Sequence, residues 1–158
     1  MNKNVIDGVA TYLSVDSIHM AETAEKTTLL NEMVDTLGQS PVVHDVDALR
    51  AAIHYRESLM STGIGMGIAI PHVRIDEVDD LIMCAALVRQ GVEEYDSLDD
   101  QQVKLIFMMA AHSDQHSLYL KTLSRLSGML KDEAFRNRLF LSADPEEFLY
   151  FLRQEEER

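Results

Sequence analysis

The sequence predicts an α/β fold, a mixed β-sheet flanked by helices on both sides, and three observations lead there. Two apolar runs, 81–88 and 103–111, have strand length and too little polar character to face water on either side. Apolar residues recur at helical spacing before these runs and again after them. A strand that is apolar on both faces needs helices over both, so this order of elements implies a sandwich. At 158 residues the chain is read as a single domain, 1–158, large enough to bury a core without staples.

Taken in order, residues 15–20 are expected to form a short first strand. Over 24–37, Leu29, Leu30, Met33, Val34 and Leu37 define a helix face, and Gly38 and Pro41 supply stop signals. A second helix is expected from Asp45, a ready N-cap, to about Met60. Residues 67–70 read as a short strand, followed by the two central strands. Beyond Ser113, Leu120, Leu123, Leu126 and Leu130 share one helical face, with Ser113 or Asp114 as its cap. Two shorter helices follow, at 132–141 and 145–154. The second opens with Asp144-Pro145-Glu146-Glu147, which places an acidic cap, proline at N1 and glutamate at N3.

Composition removes several classes of function. No apolar run reaches the length of a membrane span, so no stable membrane insertion is expected. The start, Met1–Asp7, lacks the basic region and apolar core of a secretory signal. A single cysteine, Cys84, excludes an internal disulfide and fits a reducing, cytoplasmic setting. The net charge of −13 argues against binding to nucleic acid or anionic lipid and favours partners with a basic patch.

The most informative window runs from Arg56 to His72, R-E-S-L-M-S-T-G-I-G-M-G-I-A-I-P-H. It combines a guanidinium suited to phosphate, two hydroxyls, alternating glycines and a histidine able to act near neutral pH. A dinucleotide fingerprint needs G-x-G-x-x-G between a strand and a helix. Here the spacing is G-x-G-x-G and the order is helix first. A phosphate-binding lysine loop needs Lys followed by Ser or Thr after its last glycine, and neither is present.

Arg56 lies three residues after Ile53 and seven after Leu49, so it turns toward the apolar face of its helix. A guanidinium placed there needs an anion, a salt bridge such as one to Glu57, or a route to water along its own stem. His116 falls in the first turn of the helix after Ser113, on the side expected to face the core, where free N–H groups attract phosphate. His112 and His116 stand four apart, and with His72 and Asp114 they leave open a zinc site and a zinc-dependent hydrolase. His19, His44 and His54 lack any such grouping. Cys84 reads as an inert buried thiol.

This run, followed some forty residues later by S-D-Q-H-S-L-Y-L-K-T-L-S-R-L, closely resembles the enzyme IIA domain of the bacterial sugar phosphotransferase system. The branch is the mannitol/fructose type, which includes the nitrogen-regulatory IIA proteins. The resemblance implies a phosphocarrier that takes a phosphoryl group from HPr onto His72 and passes it to a IIB domain, with no metal or cofactor. It implies that His116, rather than His112, is the second active-site histidine, and that Arg56 is the site's arginine. Gly63, Gly65 and Gly67 would then lend backbone N–H groups. Ser61 or Thr62 would position the phosphoryl group or the histidine ring, or else only shape the turn. Val73 and Arg74 depart from the small residue that often follows the active histidine, and they add a cation beside the site. The chain contains no IIB domain or membrane IIC region, which fits a free-standing component. A regulatory protein, in which phosphorylation only switches an interaction with a target, fits the same residues.

Overall fold

Six strands form one mixed sheet in the computed structural model, which describes residues 8–158. They are β1 (Ile18–Met20), β2 (Gly63–Gly65), β3 (Ile68–Ala69), β4 (His72–Arg74), β5 (Ile82–Leu87) and β6 (Leu105–Ala111). Five helices surround them: α1 (Lys26–Gly38), α2 (Val46–Leu59), α3 (His116–Met129), α4 (Glu133–Phe140) and α5 (Pro145–Glu156). The reading of Met1–Asp7 lies outside the described residues. No helix among the described residues is long and apolar enough to cross a membrane.

Strand β6 is the axis of the sheet. It runs antiparallel to β5, from Ile82 opposite Ala110 to Leu87 opposite Leu105, and β5 pairs in parallel with β1. Along the other edge of β6, β3 and β4 follow one another, both parallel to it. Strand β2 pairs antiparallel with β3.

The alternation along β6 explains why both sheet faces are covered. Leu105, Phe107, Met109 and Ala111 enter one apolar layer with residues of α3, α4 and α5. Ile106, Met108 and Ala110 enter the other layer with residues of α1 and α2. Each large apolar side chain buried this way contributes about 2 kcal/mol. A slip of one residue would exchange the two layers, so the register is strongly specified.

The helix starts follow the expected chemistry. The Asp45 carboxylate accepts from Ala48 N at 3.0 Å, and that of Asp144 accepts from Glu147 N at 2.8 Å. Glu147 also accepts from the N–H of Ala143, the residue before the cap, at 3.1 Å.

Four expectations need correction. Only 18–20 of the first predicted strand is extended, because Val15–Ser17 forms a 3-10 turn closed by Ser14 and Ser17. The single strand expected at 67–70 is the middle member of three short ones. Gln115, not Ser113 or Asp114, occupies the N-cap of α3, since the Ser113 hydroxyl is drawn to Asp76. Of the expected α3 face, Leu126 and Leu130 are buried and Leu123 packs against the core, but Leu120 is exposed, and Tyr119 and Thr122 are buried in addition.

The residues read as structural are so placed. Cys84 is fully buried, its thiol donates toward the Met33 carbonyl, and burial pushes its pKa up, out of reactive range. His19, His44 and His54 bond to Thr36, Asp79 and Asn31 respectively.

Candidate functional site

Pro71 is the reason that β6 carries two short parallel strands on one edge instead of one long strand. It has no N–H to continue the ladder, but its carbonyl accepts from Met109 N at 2.9 Å, and pairing resumes at His72. His72 therefore begins β4 and does not end the preceding strand. Among the described residues β4 pairs with β6 alone, so no strand borders its other edge.

The break also sets the histidine's protonation geometry. His72 Nδ1 lies 2.5 Å from the carbonyl oxygen of Ile70. A carbonyl only accepts, which assigns the hydrogen to Nδ1 and the free lone pair to Nε2. Partial burial holds the His72 pKa below its ordinary value. The Ile70 hydrogen bond and the nearby Glu57 charge oppose that shift, and the Arg56 cation adds to it. The ring is thus favoured in its neutral form at neutral pH.

His72 lines a depression of about 390 Å³ together with Arg56, Arg74, Tyr119, Tyr55 and Leu59. Tyr119 comes from α3 on one face of the sheet, and Arg56 comes from α2 on the other. The Tyr119 ring lies 5.6 Å from the His72 ring and 5.4 Å from the guanidinium carbon of Arg74. Burial pushes the Tyr119 pKa up to about 12, against the pull of Arg74 and Arg56, so its hydroxyl stays protonated.

Arg56 is half-buried and lines the depression, and it makes no salt bridge to Glu57. Its Nη1 donates to the Met60 carbonyl at 2.8 Å, and no carboxylate pairs with it among the described residues. Glu57 is held by other partners. Lys26 Nζ lies 2.9 Å from it, and Thr62 donates to it from both its backbone N, at 3.2 Å, and its hydroxyl, at 2.7 Å. Burial works to raise the Glu57 pKa, but these donors together outweigh it and keep the carboxylate ionised. Glu57 was visible in the sequence only as a salt-bridge candidate. The polar pair Glu57 and Thr62, both drawn inward at a helix end, was the available signal.

The two hydroxyls and three glycines of the window lie outside the depression. Thr62 is 4% exposed, and its hydroxyl is shared between Glu57 and Tyr95. The Ser61 hydroxyl donates to the Asp96 carbonyl at 2.6 Å and accepts from Gly63 N. Both hydroxyls therefore anchor the loop. Met66 and Gly67, with φ of 60° and 79°, make the tight turn between β2 and β3, and Gly65 precedes them at 92°. None of Gly63, Gly65 and Gly67 lines the depression. The hairpin instead packs against the 96–102 loop and Phe140.

His116 is the first residue of α3, one turn before Tyr119, but it is exposed and not part of the depression's wall. The expectation that it faces the core fails because the buried stripe of α3 begins only at Tyr119. His112 follows β6, where its Nδ1 accepts from Asp114 N at 3.0 Å and its Nε2 lies 3.7 Å from Asp76. Among the described residues, no three His, Cys, Asp or Glu side chains are grouped to hold a metal. His72, His112, His116 and Asp114 therefore do not form the zinc site that their spacing left open. Tyr119 was missed by sequence reasoning, because the apolar face was read from leucines alone; Leu126 and Leu130 are buried as expected, and Tyr119 joins the same core layer.

The family model described as "Phosphoenolpyruvate-dependent sugar phosphotransferase system, EIIA 2" matches residues 11–155. The chain is 40% identical over 126 residues to the PTS system fructose-specific EIIABC component of Bacillus subtilis, a match covering 80% of this chain and 20% of that longer protein. It is 30% identical over 135 residues to the PTS system fructose-specific EIIA component of Haloferax volcanii, covering 85% and 87% of the two chains. Among solved structures, nitrogen regulatory protein IIA-Ntr from Neisseria meningitidis superposes with a TM-score of 0.84 at 27% identity, over 91% of this chain and 98% of that one.

Proposed function

The chain belongs to the EIIA 2 family of the phosphoenolpyruvate-dependent sugar phosphotransferase system, and we propose that His72 accepts a phosphoryl group from phospho-HPr and passes it to a IIB domain. The observation that carries this reading is the hydrogen bond from His72 Nδ1 to Ile70, which leaves the Nε2 lone pair free on a ring that lines the depression.

In the proposed step, the Nε2 lone pair attacks phosphorus as the bond to the donor's histidine nitrogen breaks in line. That bonding pair returns to the donor ring. The proton on Nδ1 stays in place, so the His72 ring becomes cationic. The Ile70 carbonyl and the Glu57 carboxylate favour that charge. Arg56 offsets negative charge on the phosphoryl oxygens. The rim suits a protein more than a small substrate. Tyr55, Leu59 and Met60 are 67%, 64% and 69% exposed, a small apolar collar on a strongly acidic chain. A partner presenting apolar side chains within a basic patch would complement it.

The similarity to nitrogen regulatory proteins supports a second reading. In that reading the same His72 chemistry switches an interaction with a target protein, and no IIB domain receives the phosphate. Incubation with enzyme I, HPr and phosphoenolpyruvate tests the shared step. Wild type should gain one acid-labile phosphate by mass, and His72→Ala should gain none. Retention of the phosphate in His72→Ala, or its absence in wild type, would sink the reading. Transfer onward to a IIB domain then separates a transport carrier from a regulator.

A further inference from the structure

Arg74 sits two residues beyond His72 on β4. Alternate residues of a strand point to the same side, and the burial along β4 follows that rule: Val73 is buried, while His72 and Arg74 face outward. Their Cα atoms are about 6.6 Å apart along the strand, within the reach of an arginine arm. Both side chains contact one ring, that of Tyr119.

The partners of the two arginines in the depression are informative. The chain holds 27 acidic residues against 14 basic ones, so a carboxylate for any surface arginine is easy to supply. Arg50, Arg125, Arg138 and Arg158 each have one. Among the described residues Arg89, Arg136 and Arg153 also lack one, but they lie away from the depression; within it, Arg56 and Arg74 have none. Each instead donates to a single carbonyl, Arg56 to Met60 and Arg74 to Ser113, the latter at 3.0 Å. A neutral carbonyl holds a guanidinium less strongly than a phosphoryl dianion does, and the planar fork matches phosphate geometry.

We infer that Arg74 is a second phosphoryl-positioning cation, parked on the Tyr119 ring and the Ser113 carbonyl until a phosphoryl group on His72 draws it inward. This rests on the reading of His72 as the phosphoryl acceptor. Arg56 and Arg74 would then approach the group from opposite walls, the role that sequence reasoning gave to Arg56 and His116. Transfer itself makes and breaks the same bonds as above. Arg74 only orients the group and neutralises it.

The test compares wild type, Arg74→Met and Arg74→Lys with two donors, phospho-HPr and the small molecule phosphoramidate. The phosphoryl resonance is followed by phosphorus NMR across pH. Arg74→Met should slow phosphorylation by both donors roughly tenfold. It should also raise the titration midpoint of the His72-bound phosphoryl group by about one unit, because a cation near a phosphate favours its dianion. Arg74→Lys should restore most of the midpoint and only part of the rate, since it returns charge without the fork. Rates and midpoint within error of wild type in Arg74→Met would overturn the inference. A loss seen with phospho-HPr alone, with the midpoint unmoved, would also overturn it and assign Arg74 to docking. Absence of phosphohistidine from wild type with either donor would overturn the phosphocarrier reading and this inference together. Normal wild-type phosphorylation with an indifferent Arg74→Met would overturn this inference alone.

Discussion

The glycine hairpin at 63–67 and the His72 depression lie within ten residues of one another, yet different forces specify them. In the hairpin the constraint is space and backbone angle. A Cβ on Gly63 would lie 2.1 Å from the Asp96 carbonyl oxygen, and Gly65, Met66 and Gly67 all carry positive φ. In the depression the constraint is chemistry, namely a ring oriented by one carbonyl and two arginines without carboxylates. The hairpin positions β3, and the Pro71 break then delivers His72 to the open edge. One motif in sequence is thus a scaffold and a reactive group in space.

Gly63→Ala should break the scaffold while sparing the chemistry. The clash is with backbone, so the 95–97 loop must shift, at a cost of about 3 kcal/mol. Denaturant unfolding should show that loss, and phosphorylation per folded molecule should change no more than a few-fold. A collapse of phosphorylation in still-folded protein would mean that hairpin and depression form one functional unit.

Arg56→Met is the converse. It removes a charge whose one hydrogen bond among the described residues is to the Met60 carbonyl, so stability should change by less than about 1 kcal/mol. The initial rate of phosphorylation should fall roughly ten- to a hundredfold. Equal rates in mutant and wild type would remove Arg56 from the site and leave only its place at the end of α2.

These two variants also mark what was legible in the sequence. Elements whose signal is local were readable: the caps at Asp45 and Asp144, the α1 face and the two apolar strands all follow from periodicity and cap chemistry. His72 and Arg56 stood out because their residue types are rare in their settings. The failures share one cause, which is contact between distant segments. Ser61 and Thr62 look like ligand hydroxyls until Asp96, Glu57 and Tyr95 arrive from elsewhere. Tyr119 contributes through its contact with His72 and Arg74, and leucine periodicity in α3 carries no trace of that. His116 was assigned to the core by the same periodicity, yet as the first residue of α3 it is exposed.

The smallest expected effect concerns pH, and it separates reactive burial from ordinary burial. Burial lowers the pKa of both His72 and His19 below 6.5. In each case the unfolded chain binds more protons than the folded one in the window between the lowered value and 6.5. Stability should therefore fall as pH drops through that window and recover as pH rises. Replacing His72 should remove only its share of this slope, with His19 accounting for some of what remains. The reactive consequence belongs to His72 alone. At pH 6.5 an ordinary histidine is about half protonated, whereas the His72 ring should remain mostly neutral, with an NMR titration midpoint below 6.5. A midpoint at or above 6.5 would show that Ile70 and Glu57 outweigh burial and Arg56. The depression would then hold a cationic ring without a free Nε2 lone pair, and its chemistry would need a base to start.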